Sequence, residues 1–138
     1  MLFRSGVDPT VHRAYVANQN SNSVSVLDTT TNTVVGAPIP VGSFPRPVGV
    51  DPTVHRAYVA NGGSNNVTVI DTTLNTFVGA PIAVGTNPQG VGVDPTVHRA
   101  YVANQGSANV TVIDTTTDSV VGTPIPVGSQ PRGVGIGP

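Results

Sequence analysis

Three histidines, His12, His55 and His98, recur at a spacing of 43 residues. Histidine is the commonest metal-ligating side chain, so the series is a weak candidate for a metal centre. Zinc requires ligand nitrogens about 2.0–2.1 Å from the ion, and ligands supplied one per repeat would have to converge on one point. The other reading places each histidine in a turn, against the neighbouring proline or arginine. Asp8 with Arg13, Asp51 with Arg56 and Asp94 with Arg99 flank the same turn and are expected to pair across it as a charge-assisted contact. Identical repetition of that pair argues for a structural clasp rather than catalysis. Glutamate is absent, and most of the seven aspartates sit in repeated turns, so no acid–base couple is signalled. No serine stands in a Gly-x-Ser-x-Gly context. The glycine-rich stretches near Gly49 and Gly133 do not open a helix, which argues against a phosphate loop. No cofactor is implied.

The more informative chemistry lies where the repeats differ. One variable pair reads Gln19-Asn20, Gly62-Gly63 and Gln105-Gly106. The other reads Phe44, Asn87 and Gln130, followed two residues later by Arg46, Gln89 and Arg132. Loops on a rigid scaffold are where binding residues concentrate. Gln19, Asn20, Phe44, Arg46, Asn87, Gln89, Gln105, Gln130 and Arg132 are therefore the candidate contact residues. Phe44 beside Arg46 leads them, because aromatics and arginine are enriched at interfaces.

The elements that position these residues follow from the repeat. Asp8 to Asn18 returns letter for letter as Asp51 to Asn61 and Asp94 to Asn104. This divides the chain, read as one domain, into units 8–50, 51–93 and 94–136. Each unit holds four candidate strands. A short one (47–50, 89–93, 132–136) ends at Asp-Pro, where proline opens a turn. A second, Arg13 to Ala17, is apolar on consecutive residues, as suits a strand covered on both faces. A third alternates, as in Val24-Ser25-Val26-Leu27. A fourth, Thr33 to Val41, carries Pro38 and Pro40; proline gives no ladder hydrogen bond, so this strand belongs at a sheet edge. Gly49, Gly92 and Gly135 place the first strand deepest, where backbones approach closely. A four-stranded meander recurring about every 40–50 residues is the blade of a β-propeller, an all-β fold. In a meander alternate turns emerge on the same side, so the two variable loops share one face.

Composition agrees. Lysine and glutamate are missing and leucine occurs only at positions 2, 27 and 74, which leaves little room for helix. A net charge of −1 gives no electrostatic footprint for nucleic acid or an anionic membrane. Cysteine is absent, so disulfides and thiolate metal sites are excluded. The N-terminus lacks the apolar region of a signal peptide and no apolar run approaches a membrane span, so the chain reads as soluble, with no compartment indicated.

Tyr15-Val16-Ala17-Asn18, the run Ser23 to Val35, and Val41-Gly42-Ser43 followed by Pro45 resemble the YVTN-type propeller repeat, with Ala17, Ala60 and Ala103 where that motif has threonine. The resemblance implies a propeller fold and leaves the role open. Members of the family range from surface-layer and cell-wall proteins to parts of larger enzymes, and lactonase- and lyase-type propellers are related in architecture. The reading that follows is a binding or scaffolding module without catalysis of its own. The alternatives are a lactonase- or lyase-like enzyme and a structural repeat of the cell envelope.

Propellers typically close with about 4–8 blades, and three are encoded. A homodimer would close a six-bladed ring with two-fold symmetry. Val134-Gly135-Ile136 is a further copy of the innermost strand, whereas Arg4-Ser5-Gly6-Val7 is a degraded one. The expectation is that the C-terminal strand completes blade one of a second chain, and that deleting Arg132 to Pro138 abolishes the dimer. An excerpt of a longer propeller, or an open arc of three blades, is the alternative.

Overall fold

The computed structural model describes residues 5 to 138, and of Ser5 only the backbone. The described residues contain strands and turns and no helix. Three antiparallel sheets follow one another. The first contains β1 (Ser5–Asp8), β2 (Arg13–Asn18), β3 (Ser23–Asp28), β4 (Thr33–Val34) and β5 (Ile39–Pro40). The second contains β6 (Pro45–Asp51), β7 (Arg56–Asn61), β8 (Asn66–Asp71), β9 (Thr76–Phe77) and β10 (Ile82–Ala83). The third contains β11 (Pro88–Asp94), β12 (Arg99–Asn104), β13 (Asn109–Asp114), β14 (Ser119–Val120) and β15 (Ile125–Pro126). Each sheet is a meander, and the register repeats: Tyr15 opposes Val26, Tyr58 opposes Val69 and Tyr101 opposes Val112. A unit counted from its Asp-Pro thus donates its last strand to the following sheet.

The fourth strand departs from the expectation of one continuous run. It is two short pieces, both paired to the third strand of the sheet. Between them Gly36, Ala37 and Pro38 stand off the ladder, because Gly36 adopts φ +66° and Pro38 has no amide hydrogen to return. Val35 still donates to the Val26 carbonyl at 2.8 Å, so the interruption is a local bulge in an edge. The last predicted strand, 132–136, forms no strand at all. No second strand of a following sheet is there to pair with it. The N-terminal segment, by contrast, does pair. Ser5 to Asp8 lies along β2 in register Gly6 to Tyr15 and Asp8 to Arg13. The chain's own segment therefore occupies the position assigned above to a second chain's C-terminal strand. Arg4 lies outside the described residues.

The period of two in each strand divides its side chains between two neighbouring sheets. Tyr15, Val24, Val26 and Ile39 of the first sheet pack on Val48, Ala57, Val59 and Ile70 of the second. Tyr58, Ala60, Val67 and Val69 of the second pack on Ala100, Val102 and Ile113 of the third. Burying one such aliphatic side chain is worth about 1.5–3 kcal/mol, so each interface is a substantial core. The sheets approach most closely through β1, β6 and β11. A Cβ added to Gly49 would lie 2.9 Å from Val91 and Val93, and one on Gly92 would lie 2.7 Å from the Val134 carbonyl oxygen. Those two glycines permit the approach that was expected of them. Gly135 has nothing within 4 Å. Sheets that converge on their first strands and spread outward are arranged as propeller blades.

Candidate functional site

Two edges of the blades carry the candidate residues. On the first edge lie the Asp-Pro-Thr-Val-His-Arg turns. Asp8 Oδ1 accepts the Thr10 amide at 3.0 Å and the Thr10 hydroxyl at 2.6 Å. The chain then bends through four residues that end on His12 at φ 54°, in the left-handed region that histidine, asparagine and aspartate enter most readily. His55 and His98 do the same. One histidine is thus placed in each blade's turn. Among the described residues no three histidine, cysteine, aspartate or glutamate side chains gather around a point where one ion would sit. Instead His98 reaches back toward the preceding blade, its Nδ1 lying 3.7 Å from Asp51 Oδ2.

The expected Asp8–Arg13 pair and its copies do not form. Arg13 pairs with Asp28 at 3.0 Å, Arg56 with Asp71 at 3.1 Å and Arg99 with Asp114 at 2.9 Å. Asp8 and Arg13 do oppose one another in the ladder, but Asp8 is fully buried and its second oxygen faces the next blade. There it accepts the Thr72 hydroxyl at 2.8 Å, and Asp51 accepts the Thr115 hydroxyl at 2.7 Å. Tyr15 adds to the same join, donating to the Thr72 carbonyl at 3.1 Å within reach of Asn75 Oδ1 at 2.9 Å. Tyr58 repeats it with the Thr115 carbonyl and with Asp118, at 2.6 Å from the carboxylate. Burial pushes both phenols well above the ordinary tyrosine range, and the nearby aspartates add to that shift. The tyrosines are neutral donors of structure. Sequence reasoning singled out this turn as invariant but missed the join, because its partners lie 57 to 64 residues further along the chain. Its signal was present: Asp, Thr and Tyr keep fixed positions in all three copies.

The second edge gathers the variable loops, as the meander requires. The Gly62 amide donates to the Phe44 carbonyl at 3.0 Å and the Gln105 amide to the Asn87 carbonyl at 3.1 Å. Gln19, Phe44, Arg46, Gly62, Gly63 and Asn87 line one open depression of about 270 Å³. Arg46 Nη1 lies 3.4 Å from Gln19 Oε1, and its guanidinium crosses Gly62, where an added Cβ would meet Nε at 3.1 Å. Asn87 donates to Gln105 at 2.8 Å and receives Gln89 at 2.7 Å, which ties together the loop end of the third blade. Asn20 is exposed beside Gln19. Gln130 and Arg132 are exposed in the C-terminal segment and are not brought into the depression. Gly62 and Gly63, which floor it, were noted only as variation.

Phe44 is the unusual residue here. It is 51% exposed and holds φ 51°. Asn87 and Gln130 hold the same conformation, and asparagine tolerates it, whereas a bulky aromatic there is strained. Asn22 and Asn65 enforce the conformation by accepting the Phe44 and Asn87 amides at 3.0 and 2.8 Å.

Compared with protein-family models and with curated proteins, the sequence matches none. Solved structures do match. Kuenenia stuttgartiensis hydrazine synthase aligns over 95% of this chain with a TM-score of 0.84 and 29% identity. U3-55K aligns over 84% with a TM-score of 0.72 and 12% identity, and the RRP9 WD40 repeats over 88% with 0.74 and 13%. The chain spans a little over a third of each of those proteins, 37%, 36% and 37%. Convergent sheets, their repeated joins and these likenesses make the chain three blades of a β-propeller.

Proposed function

We propose that this chain is a YVTN-type propeller module that binds or scaffolds through its variable-loop edge and performs no catalysis of its own. The observation that carries the reading is Phe44: half exposed, held in a strained backbone, and set beside Arg46 over a floor of two glycines. Strain of this kind costs stability and persists where it serves a site. An aromatic face next to a guanidinium suits a peptide segment that offers an apolar side chain and a carboxylate. The likeness to WD40 repeats and to a part of hydrazine synthase supports a blade module within a larger assembly. The YVTN resemblance supports the same role.

The test is a titration of ¹⁵N-labelled protein with short peptides pairing aspartate or glutamate with leucine or phenylalanine. The expected result is a set of amide shifts centred on Gln19, Phe44, Arg46, Gly62 and Asn87, weakened in Arg46→Ala. Shifts confined to the histidine turns would contradict it. A divalent-metal soak that leaves one tightly held ion per chain would favour the lactonase- or lyase-like reading instead.

A further inference from the structure

The residues that join neighbouring blades are also present on the two outer faces of the array, where among the described residues they join no further blade. On the third blade Tyr101 stands where Tyr15 and Tyr58 stand, yet its hydroxyl makes no hydrogen bond among the described residues and the side chain is only half buried. Asp94 stands where Asp8 and Asp51 receive a threonine hydroxyl from the next blade, and among the described residues its donors come from its own turn, Thr96 first. The apolar side chains of that face follow suit: Ile39 is 6% exposed and its third copy, Ile125, 47%. On the first blade the complementary set is intact. Thr29 and Asn32 stand where Thr72 and Asn75 accept the Tyr15 hydroxyl and the Thr72 hydroxyl donates to Asp8, and Ala14, Val16 and Leu27 stand where Ala57, Val59 and Ile70 are fully buried. Glycine gives an independent match. Added Cβ atoms on Gly42 and Gly85 would strike Asn61 and Asn104 of the following blade at 2.7 Å, whereas Gly128 has nothing within 4 Å and Asn18 is only half buried.

We infer that the outer face of blade three is an interface for blade one of a second copy of this chain, and reciprocally, so that two copies close six blades. The join is specified residue by residue. Tyr101 donates to the Thr29 carbonyl and faces Asn32 of the second copy, Asp94 accepts the Thr29 hydroxyl, Gly128 covers Asn18, and Ile125 enters the cluster around Leu27 and Val16. This continues the two interfaces already inside the chain, with Leu27 in place of Ile70 and Ser5 in place of Val48 as the departures on the blade-one side. It rests on the blade joins and is independent of the loop edge. One segment must move. Val134 lies against Gly92, in the slot where the β1 of a second copy would stack. The β1 strand has a paired ladder and a buried Asp8, whereas 132–136 has neither, so the tail yields.

The test is sedimentation equilibrium of the full chain across a concentration series. The expected mass is about 28 kDa, twice the 14.0 kDa chain. Tyr101→Phe removes one hydrogen bond from each of two joins and should raise Kd roughly thirtyfold, with the circular dichroism of the dissociated chain unchanged. Ile125→Asp, at a position exposed in the single chain, should leave only monomer. Deleting residues 132–138 clears the slot and should leave a dimer at least as tight. A monomer at every concentration, a mass of three copies, or a dimer untouched by Ile125→Asp would overturn the inference. Loss of the dimer on tail deletion would overturn the assignment of the slot to β1.

Discussion

The two edges of the blades are built from the same kinds of turn and behave differently. Along the Asp-Pro edge the Asp-Pro-Thr-Val-His-Arg turn is identical in every copy, and the side chains reach from one blade into the next: Asp8 to Thr72, Tyr15 to Thr72 and Asn75, Tyr58 to Thr115 and Asp118. Along the loop edge the copies diverge, and many of the contacts are amide-to-amide or amide-to-carbonyl bonds that other side chains would also satisfy. Invariance inside one chain therefore marks the joins. Variation marks the surface that is free to acquire a partner.

The contrast is broken most severely at Asp51. Asp51→Ala leaves the Thr115 hydroxyl and the Thr53 amide without their buried acceptor. Hydrogen bonds to a charged group are worth about 1.5–3 kcal/mol, so a loss near the top of that range is expected in a denaturant titration. Tyr58→Phe deletes a neutral donor and keeps the ring, and about 1 kcal/mol is expected. On the loop edge the sign reverses. Phe44→Asn places a residue suited to φ 51° in that conformation and should raise stability by roughly 0.5–1 kcal/mol while weakening peptide binding. Equal destabilisation by Phe44→Asn and Tyr58→Phe would erase the distinction between the edges.

The smallest effect appears in acid. The Thr30 hydroxyl, then the Thr30 and Thr31 amides and Arg13, hold the Asp28 carboxyl at about 2 against an ordinary 3.8. Thr116 and Thr96 lower Asp114 and Asp94 in the same way. A carboxyl lowered in the folded state contributes its stability above pH 3.8, and that contribution is lost as pH falls toward 2. Thermal midpoints should therefore decline as pH falls below about 4. Carbon-detected NMR should return Asp28 toward 3.8 in Thr30→Val.

Much of the fold was legible in the sequence because it is periodic. The 43-residue spacing, the alternation in Val24 to Leu27 and the edge prolines each express a local rule, and local rules survive without coordinates. Gly36 was the exception among local signals: proline was read as marking an edge, but the break in the fourth strand needs the left-handed glycine two residues earlier. What the sequence hid was non-local. Asp8 looked like the partner of Arg13 because both flank one turn, whereas its second oxygen is committed to a threonine 64 residues away. The loop residues Gln19, Phe44, Arg46 and Asn87 were found together because strand alternation predicts a shared edge. The strain at Phe44 was not, since it depends on the Asn22 amide group that fixes the turn.

The array depends on blades being fastened by side chains that cross from one repeat to the next. A double-mutant cycle in equilibrium unfolding between Asp51→Ala and Thr115→Val measures that fastening directly. A coupling of about 1 kcal/mol or more is predicted, within the 0.5–3 kcal/mol typical of residues in contact. Effects that add to within about 0.3 kcal/mol would contradict it.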